Sequence, residues 1–163
     1  MARNIFTRGN EEVKTKRILV PVKGDTNADE EAMRLAYTYA QAKIGKGRHV
    51  AIDVVFVVEV PHALALNAEL PEKVEKGEKA LDHAETVARD MGVQVESSLL
   101  QARSAGAAVV DMARESGAEL IVMATGYQKK LGELDLGRNI PYVLKNAPCR
   151  VWICRAPMVE SET

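Results

Sequence analysis

Five short apolar runs, each separated from the next by a stretch of helical periodicity, constrain this chain more than any other feature. They are Ile18–Val22, Val50–Val58, Gln94–Leu100, Leu120–Ala124 and Arg150–Cys154. Runs without polar alternation suit strands covered on both faces, as in parallel sheets. The third is shorter and partly alternating, which predicts an edge strand. Between the first two, Ala28, Ala32, Leu35, Ala36, Tyr39 and Ala40 recur at helical spacing, and the helix is expected to stop near Gly45 or Gly47. Val74, Gly77, Leu81, Ala84, Ala88 and Met91 form the next apolar stripe, ended by Gly92. A third helix carries Val109, Met112 and Ala113 and stops at Gly117. A short fourth helix is expected after Asn139 as its cap, with Pro141 in the first turn. The link Glu59 to Glu72 is long, and Ala63–Leu66 within it is expected to make a helical turn.

The expected fold is therefore α/β, a doubly wound five-stranded parallel sheet with helices on both faces, because right-handed crossovers place successive helices there. In such sheets ligands bind beyond the carboxyl ends of the strands, where the strand order reverses. The loops to watch are those after the first and fourth strands.

At 163 residues the chain has room for one domain. The expected division is a polar tail at 1–16, the domain at 17–155 and a loose acidic end at 156–163. A net charge of -1 argues against nucleic acid as a partner. The sequence has no apolar run long enough to span a membrane and no signal-peptide core, so no membrane partner and a cytoplasmic location are expected. Cys149 and Cys154 fall in one strand-like segment, too far apart along it for a disulfide and pointing to opposite faces. They read as buried, reduced core residues, in keeping with a reducing compartment.

Other chemistries fail on residues. The first loop, Lys23-Gly24-Asp25-Thr26-Asn27, lacks the glycine pattern of a dinucleotide fold or a P-loop. A receiver domain needs aspartates at the ends of its early strands, where this chain has Lys23. His49, His62 and His83 make no grouping with a nucleophile, and no metal cluster is visible, so no catalytic residue is assigned.

Ile18-Leu19-Val20-Pro21-Val22, Ala118-Glu119-Leu120-Ile121-Val122-Met123 and the closing Tyr142 to Val151 together resemble the universal stress protein family, over about Arg17 to Arg155. Ala102–Gly106 and Gly137-Arg138-Asn139 are similar to stress-protein domains attached to amino-acid transporters. The resemblance implies strand order 3-2-1-4-5, dimerisation through the fifth strand and, in one branch, ATP binding. That branch resembles a pattern of Gly, two residues, Gly, nine residues, Gly and then Ser or Thr. Laid on this chain, those positions become Ala124, Tyr127, Gly137 and Arg138. Glycines there let backbone N–H groups approach phosphates. Here Tyr127 fills the phosphate path, Arg138 replaces the hydroxyl, and Lys23 stands where the branch carries an aspartate.

A homodimeric, non-catalytic stress or regulatory protein with a degenerate nucleotide site is the expectation. The alternative is a sensor that binds a nucleotide or other anion in an altered pocket. ATP or another adenine nucleotide is the candidate ligand, and the departures predict weak binding or none in the family manner. The residues assigned to that pocket are Lys23, Asp25, Thr26, Ala124, Gly126, Tyr127, Gly137, Arg138 and Asn139. The residues assigned to a dimer interface are Val151, Trp152 and Ile153, on a strand whose edge is free.

Overall fold

The computed structural model describes residues 15–126, 129, 130 and 133–157. Strands β1 (Lys16–Val22), β2 (Val50–Glu59), β3 (Glu96–Ala102), β4 (Leu120–Thr125) and β5 (Arg150–Arg155) alternate with helices α1 (Thr26–Ile44), α2 (Pro71–Asp90), α3 (Ala105–Ser116) and α4 (Asn139–Asn146). The strands pair in the order β3-β2-β1-β4-β5, and every pairing is parallel. A small antiparallel ribbon, Lys129–Lys130 against Glu133–Leu134, lies between β4 and α4.

The pleat divides each apolar run between two cores. Ile18, Val20 and Val22 of β1 join Val54, Phe56 and Val122 in a core with α1 and α2. Leu19, Val55, Ile121 and Met123 point the other way and join Val109, Ile140 and Val143 of α3 and α4. Successive side chains of a strand face opposite sides of the sheet, so a run without polar alternation is what a doubly covered strand requires.

Several expected boundaries move. The third strand begins at Glu96 rather than Gln94 and runs on to Ala102. The Val93 amide is held by the Ala88 carbonyl at 2.8 Å, closing the turn after α2, and pairing with β2 starts only at Asp53↔Glu96. Ala63–Leu66 forms no helical segment. Two separate turns occupy that stretch, closed by Leu64 N–H to Pro61 O and Ala68 N–H to Ala65 O. Asn139 is the first residue of α4 and does not cap it, since Arg138 holds the cap position without a side-chain bond.

The cysteines are half-buried rather than buried, and both are free thiols. Cys149 precedes β5, and the two contact opposite cores as expected. Burial pushes both thiols up in pKa. Ala156, placed by the sequence in the tail, is buried and donates its N–H to Thr125 O. None of the described helices is long and apolar enough to cross a membrane.

Candidate functional site

The carboxyl ends of β1, β2 and β4 open into a cleft of about 380 Å³. It lies where the sheet order reverses at β1, the position at which doubly wound sheets bind ligands. Val22, Phe56, Met123 and Ala124 contribute apolar surface, and α2, α3 and the turn before α4 form the walls. Among the described residues four cations line it, Lys23, Lys73, Lys76 and Arg138, against two carboxylates, Asp29 and Glu59.

Asp29 fastens the turn after β1. Its carboxylate accepts from Gly24 N–H at 2.7 Å and from Lys23 N–H at 3.1 Å. Burial raises its pKa, outweighing those two amides and the charge of Lys23. Gly24 takes φ +85°, a left-handed conformation that side chains other than glycine's resist. A Cβ there would sit 2.5 Å from Cε of Lys76, so the bare glycine is what lets the Lys76 stem cross the turn.

Glu59 organises the opposite wall from the last position of β2. One oxygen accepts from Ala105 N–H at 2.8 Å and lies 3.4 Å from Asn139 Nδ2, while the other pairs with Arg138. Burial pushes the Glu59 pKa up, but the Ala105 amide, Arg138 and Asn139 together outweigh it and hold the carboxyl below its ordinary value. Asn139 Oδ1 accepts from Gly106 N–H at 3.0 Å, and Ser104 Oγ accepts from Ala107 N–H. A Cβ on Gly106 would come within 3.3 Å of Asn139 Oδ1, so glycine permits this approach. The first three N–H donors of α3 are thereby engaged by the protein's own side chains.

Of the residues assigned to the pocket from sequence, Lys23, Ala124, Gly137, Arg138 and Asn139 line the cleft. Asp25 does not. It caps α1, accepting from Ala28 N–H, and Thr26 is the exposed first residue of that helix. Gly126 lies outside the lining, its Cα side facing Asp25 Oδ2, and Tyr127 lies outside the described residues.

Asp29, Glu59, Lys73 and Lys76 are cleft residues that the sequence reading missed. Asp29 carried a signal, since it falls on the buried stripe with Met33, Ala36 and Tyr37. Glu59 also carried one, as the charge that ends the valine run of β2. Among the described residues no group of three or more His, Cys, Asp or Glu side chains is placed to hold a metal ion. His83 bridges α2 to Glu30 of α1 at 3.2 Å, away from the cleft.

Val151, Trp152 and Ile153 are half-buried within the chain itself. Trp152 meets Tyr39 of α1 edge-on, with ring centres 5.0 Å apart, and Val151 and Ile153 pack toward the α3 and α4 core. Among the described residues no strand pairs with the outer side of β5.

A parallel sheet in this order, with a charged cleft at its carboxyl ends, defines a doubly wound α/β domain. The family model described as the universal stress protein family matches residues 14–155, and the chain belongs to that family. A universal stress protein of Methanocaldococcus jannaschii is 29% identical over 151 residues, covering 89% of this chain and 85% of the relative. A universal stress protein structure from Archaeoglobus fulgidus superposes with a TM-score of 0.70 at 23% identity, covering 86% of this chain and 98% of the other. One from Archaeoglobus fulgidus in complex with dAMP gives 0.66 at 21% identity, with the same two coverages.

Proposed function

We propose that this protein is a cytoplasmic, non-catalytic regulatory member of its family, acting as a homodimer, whose cleft takes a small anionic ligand but not ATP in the family manner. The cleft itself carries the reading. It combines an apolar floor with four cations against two carboxylates, which suits a compact anion with an uncharged body. The relative solved with dAMP supports an adenine nucleotide as the first class to try. A phosphate chain laid along Gly137 and Arg138 would meet the Glu59 carboxylate, and the α3 amides beside it are already engaged. A non-catalytic role is supported by the commitments of the two cleft carboxylates named above, since Asp29 accepts from two backbone N–H groups and Glu59 from the Ala105 N–H and the Arg138 side chain.

Thermal shift with adenosine, AMP, ADP, ATP and cyclic AMP tests the reading. A ligand at 100 times its Kd stabilises the native state by about 2.7 kcal/mol. At least one monophosphate is expected to raise Tm with concentration, ATP is expected to do so least, and no ATP hydrolysis is expected. Micromolar or tighter ATP binding that is lost on changing Gly137 would overturn it.

The dimer is argued from β5, the last strand in the order, whose outer edge pairs with no other strand among the described residues. Antiparallel pairing of two copies of Arg150–Arg155 would complete that ladder, and it sets Arg150 of one copy opposite Arg155 of the other at each end, where both side chains are exposed and solvent screens their repulsion. Neighbouring residues of a strand direct their N–H groups to opposite edges, so one of Ile153→Pro and Cys154→Pro removes a donor to β4 and the other removes a free-edge donor. Light scattering is expected to show a wild-type dimer and a folded monomer for the free-edge variant. A wild type that stays monomeric at high micromolar concentration would end the proposal, and folded dimers from both variants would move the interface elsewhere.

A further inference from the structure

We infer that the anionic group of the cleft's ligand is held on the α2 side, by the ammonium groups of Lys23, Lys73 and Lys76, and that the ligand class is a phosphomonoester with an uncharged, largely apolar body. The inference rests on the ligand-binding reading above and specifies which end of the cleft takes the charge.

The two walls differ in what they leave available. On the α3 and α4 side, Arg138 is paired to Glu59, and the N–H groups of Ala105, Gly106 and Ala107 are taken by Glu59, Asn139 and Ser104. An anion placed there would meet a carboxylate that its neighbours hold ionised, and like charges at short range repel. Among the described lining residues, charge on this wall is balanced internally, with Arg138 against Glu59.

The α2 side carries an excess. Lys73 and Lys76 stand three residues apart in the first turns of α2, so they project from one face of the helix. Lys23 follows β1 directly, and the Lys76 stem crosses the same turn over Gly24. Lys73 Nζ reaches the Glu59 carbonyl at 2.8 Å, which places its ammonium over the end of β2 and leaves two of its three protons for a ligand. Among the described residues no hydrogen-bond acceptor is assigned to Nζ of Lys23 or Lys76. Among the described lining residues the carboxylate on this side is Asp29, which is buried and turned to the Lys23 and Gly24 amides. Three mobile point charges on long stems suit a phosphate, which lysine binds without the planar register that arginine imposes. Beside them, Val22 and Phe56 supply the apolar floor for the rest of the ligand.

Calorimetry on the full chain with AMP and adenosine as probes tests this. AMP is expected to bind at least about tenfold more tightly than adenosine, and that advantage is expected to fall as salt rises. Lys23→Ala with Lys76→Ala is expected to remove most of the AMP advantage over adenosine, whereas Arg138→Ala is expected to keep it. All three positions are exposed, so the variants should fold, and circular dichroism checks it. Equal binding of AMP and adenosine by the wild type would overturn the lysine wall and leave the ligand-binding reading standing. Loss of the advantage in Arg138→Ala, or its survival in the double lysine variant, would place the phosphate on the other wall. No binding of either probe would end the ligand reading and this inference together.

Discussion

Arg17→Ala is expected to lower the unfolding free energy by about 3 kcal/mol, the lower end of what breaking a buried ion pair costs. Asp53 lies on β2 with only 5% of its surface exposed. Both of its oxygens accept from Nη1 of Arg17 on the adjacent strand β1, each at 2.8 Å. Removing the arginine leaves the Asp53 carboxylate in the sheet without the partner that offsets its desolvation. The Arg17 side chain is itself 30% exposed, so water admitted by the truncation offsets part of the loss, and this sets the figure at the lower end. Arg17→Met combined with Asp53→Leu removes both charges and keeps volume. It is expected to recover most of the loss, because the attraction within a buried pair largely repays its own desolvation. Denaturant melts at one fixed protomer concentration compare the three proteins. A cost below about 1 kcal/mol for Arg17→Ala would mean that Asp53 is solvated as an ordinary surface group.

The architecture was legible from sequence because it rests on local pattern. Ile18, Leu19 and Val20 are apolar in succession, and only a strand with a core on each side buries all three. Gly117 ends α3 in the left-handed conformation that its place after an apolar stripe implies. The edge position of β3 was visible in its partial alternation.

The site was less legible because its bonds join distant parts of the chain. Glu59 is bound to Ala105, Arg138 and Asn139, and none of these partners can be read from the residues flanking Glu59. Asn139 shows the conflict directly. Its residue type and its place before Pro141 favour a helix cap, yet its amide is used across the cleft by Gly106 and Glu59, so the cap position falls to Arg138. Arg138 looked like a free cation after β4 for the same reason, since the carboxylate that neutralises it comes from the far side of β1. Lys73 and Lys76 lie off the apolar stripe of α2, and only the approach of that helix to the β1 turn puts them at the cleft.

Asp29→Ala is expected to cost about 2–3 kcal/mol and to weaken ligand binding, because it removes the charged acceptor of two backbone N–H groups at the cleft floor. The carboxylate, 4% exposed, is the acceptor that holds Lys23 and Gly24 in the turn after β1. Without it those amides lose their partner, and Gly24 loses the bond that supports its left-handed backbone. Asp29→Asn keeps one acceptor oxygen and removes the buried charge, so a cost of about 1 kcal/mol is expected. The two cleft carboxylates also predict opposite pH trends. Burial raises the Asp29 pKa above its unfolded value, so folding favours its protonated form. Its contribution is greatest below the unfolded pKa and is lost as pH rises through the folded one. The Glu59 pKa is depressed, so its contribution is present above the unfolded pKa and is lost as pH falls through the folded one. The penalty of Asp29→Asn is therefore expected to grow as pH falls through the acidic range, while that of Glu59→Gln shrinks. Melts at several pH values read both slopes against the wild type. A penalty for Asp29→Asn that shrinks toward acid would mean that the two amides outweigh burial at Asp29. An Asp29→Ala protein that loses less than about 1 kcal/mol would mean that water satisfies the freed donors and that Asp29 is not what holds the turn.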